Sequence, residues 1–198
     1  MCISGGGQWL VTRFVSCSLV LLAPFAWSES EFEHNHKSAT LAAHVHGEAS
    51  LQVSLQGAIL DIRLTVPAMD LLGYEQAPHT AAEKVRLQSA HEFLARPESW
   101  LDVDAEARCT LQGHHLESPF EVEDRTSKDH DNHTIHADFV LEASWQCANA
   151  NRVNSITLRL FAPFPRVQQV NVDWINEASA GIARLSASEP RLLLRAKQ

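Results

Sequence analysis

The stretch from Ile135 to Cys147 constrains this chain most, because it alternates without a break. Ile135, Ala137, Phe139, Leu141, Ala143, Trp145 and Cys147 are apolar, and His136, Asp138, Val140, Glu142, Ser144 and Gln146 between them are mostly polar. Successive side chains of a strand point to opposite faces, so this segment reads as a strand with one face in a core. A helix would scatter the same apolar residues around its circumference. A second alternating run sets Gly47, Ala49, Leu51, Val53 and Leu55 against His46, Glu48, Ser50, Gln52 and Ser54. Gln56-Gly57 is a turn signal, and Ile59 to Val66 reads as the returning strand of a hairpin that Pro67 ends. Asp70 to Glu75 reads as a loop with a turn at its glycine.

One helix is well marked. Thr80-Ala-Ala-Glu83 is a capping box, in which hydroxyl and carboxylate satisfy free backbone donors at a helix start. Ala82, Val85, Leu87, Ala90, Phe93 and Leu94 follow on one face, and Pro97 stops the run, so a helix is expected over about 80–96. Ala105 to Leu116 reads as a strand and 117–132 as a charged loop. Ile156–Phe161, Val167–Ile175, Gly181–Ser186 and Arg191–Leu194 are further strand candidates.

The chain also matches itself. At an offset of 90 residues His46 falls on His136, Glu48 on Asp138, Leu51 on Leu141, Ser54 on Ser144 and Gln56 on Gln146. After a gap of six, Leu60, Ile62, Arg63, Leu64 and Pro67 fall on Ile156, Leu158, Arg159, Leu160 and Pro163. A repeated antiparallel hairpin is therefore expected. The expected class is α+β, with two pseudo-symmetric β-rich lobes. The first covers 43–116 with the helix, the second covers 133–198, and a His/Asp loop at 117–132 joins them.

The N-terminus bears on compartment. Arg13 precedes the apolar run Phe14–Ala26, Ala26-Trp27-Ser28 offers small residues for cleavage, and acids begin at Glu29. That is the order of a secretory signal over 1–28, and the run is too short to span a bilayer. No later segment is long and apolar enough to insert in a membrane. Residues 29–42 read as a mobile, polar arm carrying His34 and His36. The formal net charge of −8 makes nucleic acid a poor partner and suits cations. Cys2 and Cys17 would leave with the signal, and Cys109 and Cys147 remain as an even pair in an oxidising compartment. They read as one disulfide closing a loop over the His/Asp-rich stretch.

The 11 histidines are clustered, as His34/His36, His44/His46, His114/His115 and His130/His133/His136, with acids interleaved. Neutral imidazole is the commonest protein metal ligand, and zinc takes four N, O or S ligands. On strands His44, His46 and Glu48 would share a face, as would His136 and Asp138. The loop adds His130 and His133, which with Asp124, Asp129 and Asp131 form a collector more than a fixed cage. The candidate metal ligands are therefore His44, His46, Glu48, His130, His133, His136 and Asp138. Glu75 and His79 bracket a loop from which a further ligand can come, and His91 reads as structural or solvated. The bland alternative is that polar strand faces carry these side chains into solvent.

Several strings, taken in order, resemble the ZrgA family of zinc-regulated periplasmic proteins of Gram-negative bacteria. They are His44-Val-His46-Gly47 before an alternating strand, Val66-Pro-Ala-Met-Asp-Leu-Leu-Gly-Tyr-Glu75, the strand at Cys109, His136-x-Asp138, Cys147, and Leu160-Phe-Ala-Pro-Phe-Pro165. The resemblance spans nearly the whole mature chain. It implies a soluble periplasmic zinc-binding protein that supports zinc acquisition beside a zinc importer. This chain departs from the pattern in a shorter His/acid insert, here 114–136, and in Gln76 where a His is expected. Lower buffering capacity would follow, with His44, His46 and His136 with Asp138 retained.

An exported zinc enzyme is the rival. No HExxH, GxSxG or CxxC string stands in the sequence, and no catalytic residues are assigned. Cuprous copper is disfavoured, because one Met and two paired Cys remain after the signal. Cupric copper stays open, since imidazole binds it tightly.

Overall fold

A computed structural model describes residues 45–120 and 137–194. The signal, the arm, His44, and His130, His133 and His136 lie outside the described residues. Strand β1 (Glu48–Gln56) turns at Gly57 into β2 (Ile59–Pro67), and the two pair antiparallel from Ser50↔Thr65 to Gln56↔Ile59. Short helix α1 (Ala68–Leu72) follows, then α2 (Ala81–Leu94) and α3 (Pro97–Trp100). Strands β3 (Leu101–Val103), β4 (Cys109–Glu117), β5 (Asp138–Cys147) and β6 (Ser155–Leu158) come next. β7 (Gln169–Asn176), β8 (Ala180–Ser186) and β9 (Arg191–Leu193) complete the described chain.

The α+β, β-rich class is as expected, and so is the helix near 80–96. Thr80 and Glu83 make the reciprocal capping box. Leu87, Ala90 and Leu94 are its buried stripe, whereas Val85 is exposed.

Six strands form one sheet in the order β4-β5-β2-β1-β7-β8, and three form a second in the order β3-β6-β9. Alternation decides which face of the large sheet is buried. Leu51, Val53, Leu60, Ile62, Leu64, Phe139, Leu141, Trp145, Val170 and Val172 lie on that face. They share one hydrophobic cluster with Leu87, Leu94, Trp100, Leu101, Ile156, Leu158 and Leu192 from the helices and the small sheet. Each fully buried Leu or Ile contributes about 1.5–3 kcal/mol relative to exposure.

The expected two lobes are not how the chain assembles. β2 of the first half pairs along its whole length with β5 of the second, from Ile59↔Gln146 to Pro67↔Asp138, and the described residues of both halves form one compact unit. The second hairpin of the expected repeat does not form either. After β5 a 3-10 turn at Ala150–Arg152 carries the chain away, and β6 joins the small sheet between β3 and β9. The physical reason is burial. β6 hides Ser155, Ile156 and Leu158, so it does not offer the one-faced pattern that a place beside β5 demands, and β2 already fills that place. Arg63 pairs with Glu142 on the large sheet and Arg159 with Asp102 on the small one, so the residues matched by the repeat serve different sheets.

Asp70 to Leu72 is helical rather than loop. Pro67 presets the entry, and Gly73 closes α1 in the left-handed conformation at φ 84°, with its N–H on the Met69 carbonyl at 2.8 Å. Cys109 and Cys147 face each other in register at the start of β4 and the end of β5, and they form the expected disulfide. Among the described residues no helix is long and apolar enough to cross a membrane.

Candidate metal centre

Strand direction gathers the candidate residues at one end of the large sheet. β1 and β7 are parallel, and both run antiparallel to β2, as does β5. β1, β5 and β7 therefore begin where β2 ends, which places Glu48, Asp138 and Gln169 near Pro67.

His46 lies in a tight turn before β1 rather than on the strand. The Glu48 N–H donates to the Val45 carbonyl at 3.0 Å, and Gly47 takes φ 88°, the positive value a type II turn requires at its third position. The alternation rule that would put His46 and Glu48 on one face does not hold across such a turn. Glu48 instead accepts the Asn171 side-chain N–H at 2.9 Å, while the His46 Nδ1 stands 3.8 Å from Glu75 Oε1. Both side chains of that pair are about half exposed.

Asp70 interacts electrostatically with both. It is the one charged side chain buried among the described residues, at 2 % exposure. Its Oδ1 accepts the Gly47 N–H at 2.8 Å, and its Oδ2 has no hydrogen-bond partner among the described residues. Burial pushes the Asp70 carboxyl above the usual carboxylate range. The Gly47 N–H and the charge of His46 pull against that, Glu75 adds to it, and Arg166 again opposes it. A buried acid oxygen without a donor is costly, and a cation is one partner that would satisfy it.

Two ligands of a tetrahedral zinc, each about 2.0–2.2 Å from the ion, stand roughly 3.4 Å apart. The His46–Glu75 separation of 3.8 Å is close to that spacing. The set is incomplete, since among the described residues no three His, Cys, Asp or Glu side chains are already gathered around one point. Asp138 opens β5 in register with Pro67, and the Ala137 carbonyl accepts the Ala68 N–H at 2.6 Å, so the start of β5 is fastened to the start of α1.

Two further imidazoles have partners of their own. His115 is on edge strand β4 with its Nε2 3.7 Å from Glu117, and both are exposed. The His79 N–H donates to the Glu83 carboxylate at the start of α2. A cleft of about 1250 Å³ lies over the outer face of the large sheet, lined by Asp61, Arg63, Glu142 and Asp173 among others, with His114 its only imidazole. It does not include His46, Asp70 or Glu75.

Reasoning from sequence missed Asp70 and Arg166 as members of this cluster. The signal for Asp70 was present, as an acid inside Val66-Pro-Ala-Met-Asp-Leu-Leu72, a segment otherwise apolar. For Arg166 no local signal exists, because only the parallel pairing of β1 with β7 brings it near.

The end of the large sheet thus carries the His46–Glu75 pair, with the buried Asp70 carboxyl feeling the charge of both. The chain belongs to the ZrgA family of zinc uptake proteins, whose model matches residues 43–194. No curated protein matches it.

Proposed function

We propose that this chain is an exported, soluble zinc-binding protein of the periplasm that captures or buffers zinc and supports its uptake. It would act without catalysis, and zinc is its cargo. Membership of a zinc uptake family supports the role in uptake. The observation that carries the metal reading is the buried Asp70 Oδ2, which has no hydrogen-bond partner among the described residues and whose carboxyl feels the charges of His46 and Glu75.

In this reading His46, Asp70 and Glu75 supply three of the four ligands a zinc ion takes. His44, His136 and Asp138 are the candidates for the rest, and His130 and His133 would collect zinc at lower affinity. Glu48, held by Asn171, would act only after giving up that hydrogen bond. Exchange with a periplasmic component of a zinc importer would follow from a site that opens at the end of the sheet. The exported location rests on the order of residues in 1–28 and agrees with the Cys109–Cys147 disulfide.

Zinc titration calorimetry on metal-free protein tests this, with the His46→Ala, Asp70→Asn double variant alongside. Saturable tight binding that the double variant loses supports the reading. Tight binding that persists moves the site to other histidines. Absence of tight binding in the parent overturns the function. A cupric titration in the same series decides between the two metals.

A further inference from the structure

We propose that the Arg166 guanidinium is a resident counter-cation of this site, so that incoming zinc binds against its charge and Arg166 sets the affinity. The inference rests on the zinc reading of the same residues. Its grounds are geometric. Arg166 comes just before β7, and its carbonyl lies 3.6 Å from where a Cβ on Gly47 would sit. Its side chain reaches in the other direction. The guanidinium carbon and Nη2 are each 3.1 Å from where a Cβ on Gly73 would sit, a tight approach that the missing side chain leaves room for. Arg166 thus spans the two turns that carry the cluster, one next to His46 and one between Asp70 and Glu75. The Asp70 carboxyl feels its charge together with theirs.

A guanidinium stays protonated at any physiological pH, so this positive charge cannot be titrated away when zinc arrives. Asp70 and Glu75 bring two carboxyl groups to the cluster, and the Arg166 charge acts on Asp70 from beside Gly73. A divalent ion entering there gains the attraction of the carboxylates and meets the repulsion of the guanidinium, both of which added salt weakens. The consequence is a site held below its greatest affinity, which suits a protein that must give its cargo up.

The test is zinc titration of the exported chain, with R166Q and R166K beside the parent, at low salt and at about 0.5 M salt. R166Q is expected to bind zinc about tenfold more tightly than the parent at low salt. R166K, which keeps the charge, should stay within about threefold of the parent, and the gap between R166Q and the parent should narrow in high salt. Melting curves of the three metal-free proteins establish that each is folded. Tight binding by the parent with R166Q unchanged or weaker overturns the counter-cation role and leaves the zinc reading standing. Tightening that R166K shares equally also overturns it, because charge is then not the cause. No saturable zinc binding in any of the three overturns the zinc reading and the inference with it.

Discussion

The Asp70 Oδ1 accepts the Gly47 N–H at 2.8 Å, joining residues 23 apart in the chain. The second carboxylate oxygen is buried and has no hydrogen-bond partner among the described residues. Gly47 is itself fixed, because its carbonyl accepts the N–H groups of Gln168 and Gln169 at 2.9 and 3.0 Å. The turn before β1, the helix after β2 and the entry to β7 are therefore tied at one point. An Asp whose only needed bond is the one to Gly47 would be better replaced by Asn, unless the second oxygen has a use.

The first prediction follows from that. In chelator, Asp70→Asn keeps the acceptor for Gly47 and removes a poorly compensated buried charge, so the melting temperature should hold or rise by about 2–4 °C, on the order of 1 kcal/mol. The same variant should lose zinc affinity by at least about tenfold. Calorimetry and thermal unfolding in parallel check both halves. A variant that is less stable than the parent without metal, and binds zinc as well, would assign Asp70 a purely structural role.

A side chain at Gly73 should be destabilising. Its φ of 84° strains any L residue, and a Cβ would stand 3.1 Å from the Arg166 guanidinium. Gly73→Ala is expected to cost about 1–2 kcal/mol, part from the backbone and part from displacing Arg166. Urea unfolding of the metal-free protein measures it. Loss of much less than 1 kcal/mol would show that Arg166 swings away freely.

Much of this was legible from residue order, and what was not has a common cause. β1, β2 and β5 follow directly from alternation, and α2 follows from Thr80 and Glu83, because those signals are local. α1 has five residues, too few to show a helical period, so its sequence reads as a loop. The hairpin repeat matched residues whose pattern is similar but whose partners differ, since pairing of β2 with β5 and β1 with β7 is decided by the whole core. The cluster of His46, Asp70, Glu75 and Arg166 spans 120 residues of sequence, and no spacing rule relates its members. His46 was singled out by its neighbour His44, yet its present contact is Glu75.

The disulfide should matter for stability and little for metal. It links positions 38 apart, a loop whose closure in the unfolded chain is worth about 3–4 kcal/mol in the entropic account. Cys147 ends β5, whereas the cluster lies at its start, about 30 Å away at the rise of a strand. A Cys109→Ala, Cys147→Ala variant is expected to lose about 3 kcal/mol in denaturant while its zinc affinity stays within about twofold. A large loss of affinity in folded variant protein would mean that strain travels along β5 to the site.

Asp104 makes the small sheet sensitive to acid. It sits between the two strands β3 and β6 that open the small sheet. Its Oδ2 accepts the N–H groups of Asn154 and Ser155, both at 2.8 Å, and its Oδ1 accepts the Ser155 hydroxyl at 2.8 Å. Arg191 from β9 donates to that hydroxyl at 2.7 Å and stands 3.7 Å from the carboxylate. Partial burial works to raise the Asp104 carboxyl, but the three hydrogen bonds and the Arg191 charge outweigh it and hold the group below the usual carboxylate range. A carboxyl depressed in the folded state stabilises fully above its unfolded value, and that stability fades as pH falls through the folded value. Asp104→Asn should therefore cost about 2 kcal/mol at pH 7, since charge-assisted acceptance of these donors is lost. The difference from the parent should shrink steadily as pH falls from about 4 toward 2. Guanidinium unfolding across that range measures it, and a gap that stays constant with pH would show that Asp104 acts through shape rather than charge.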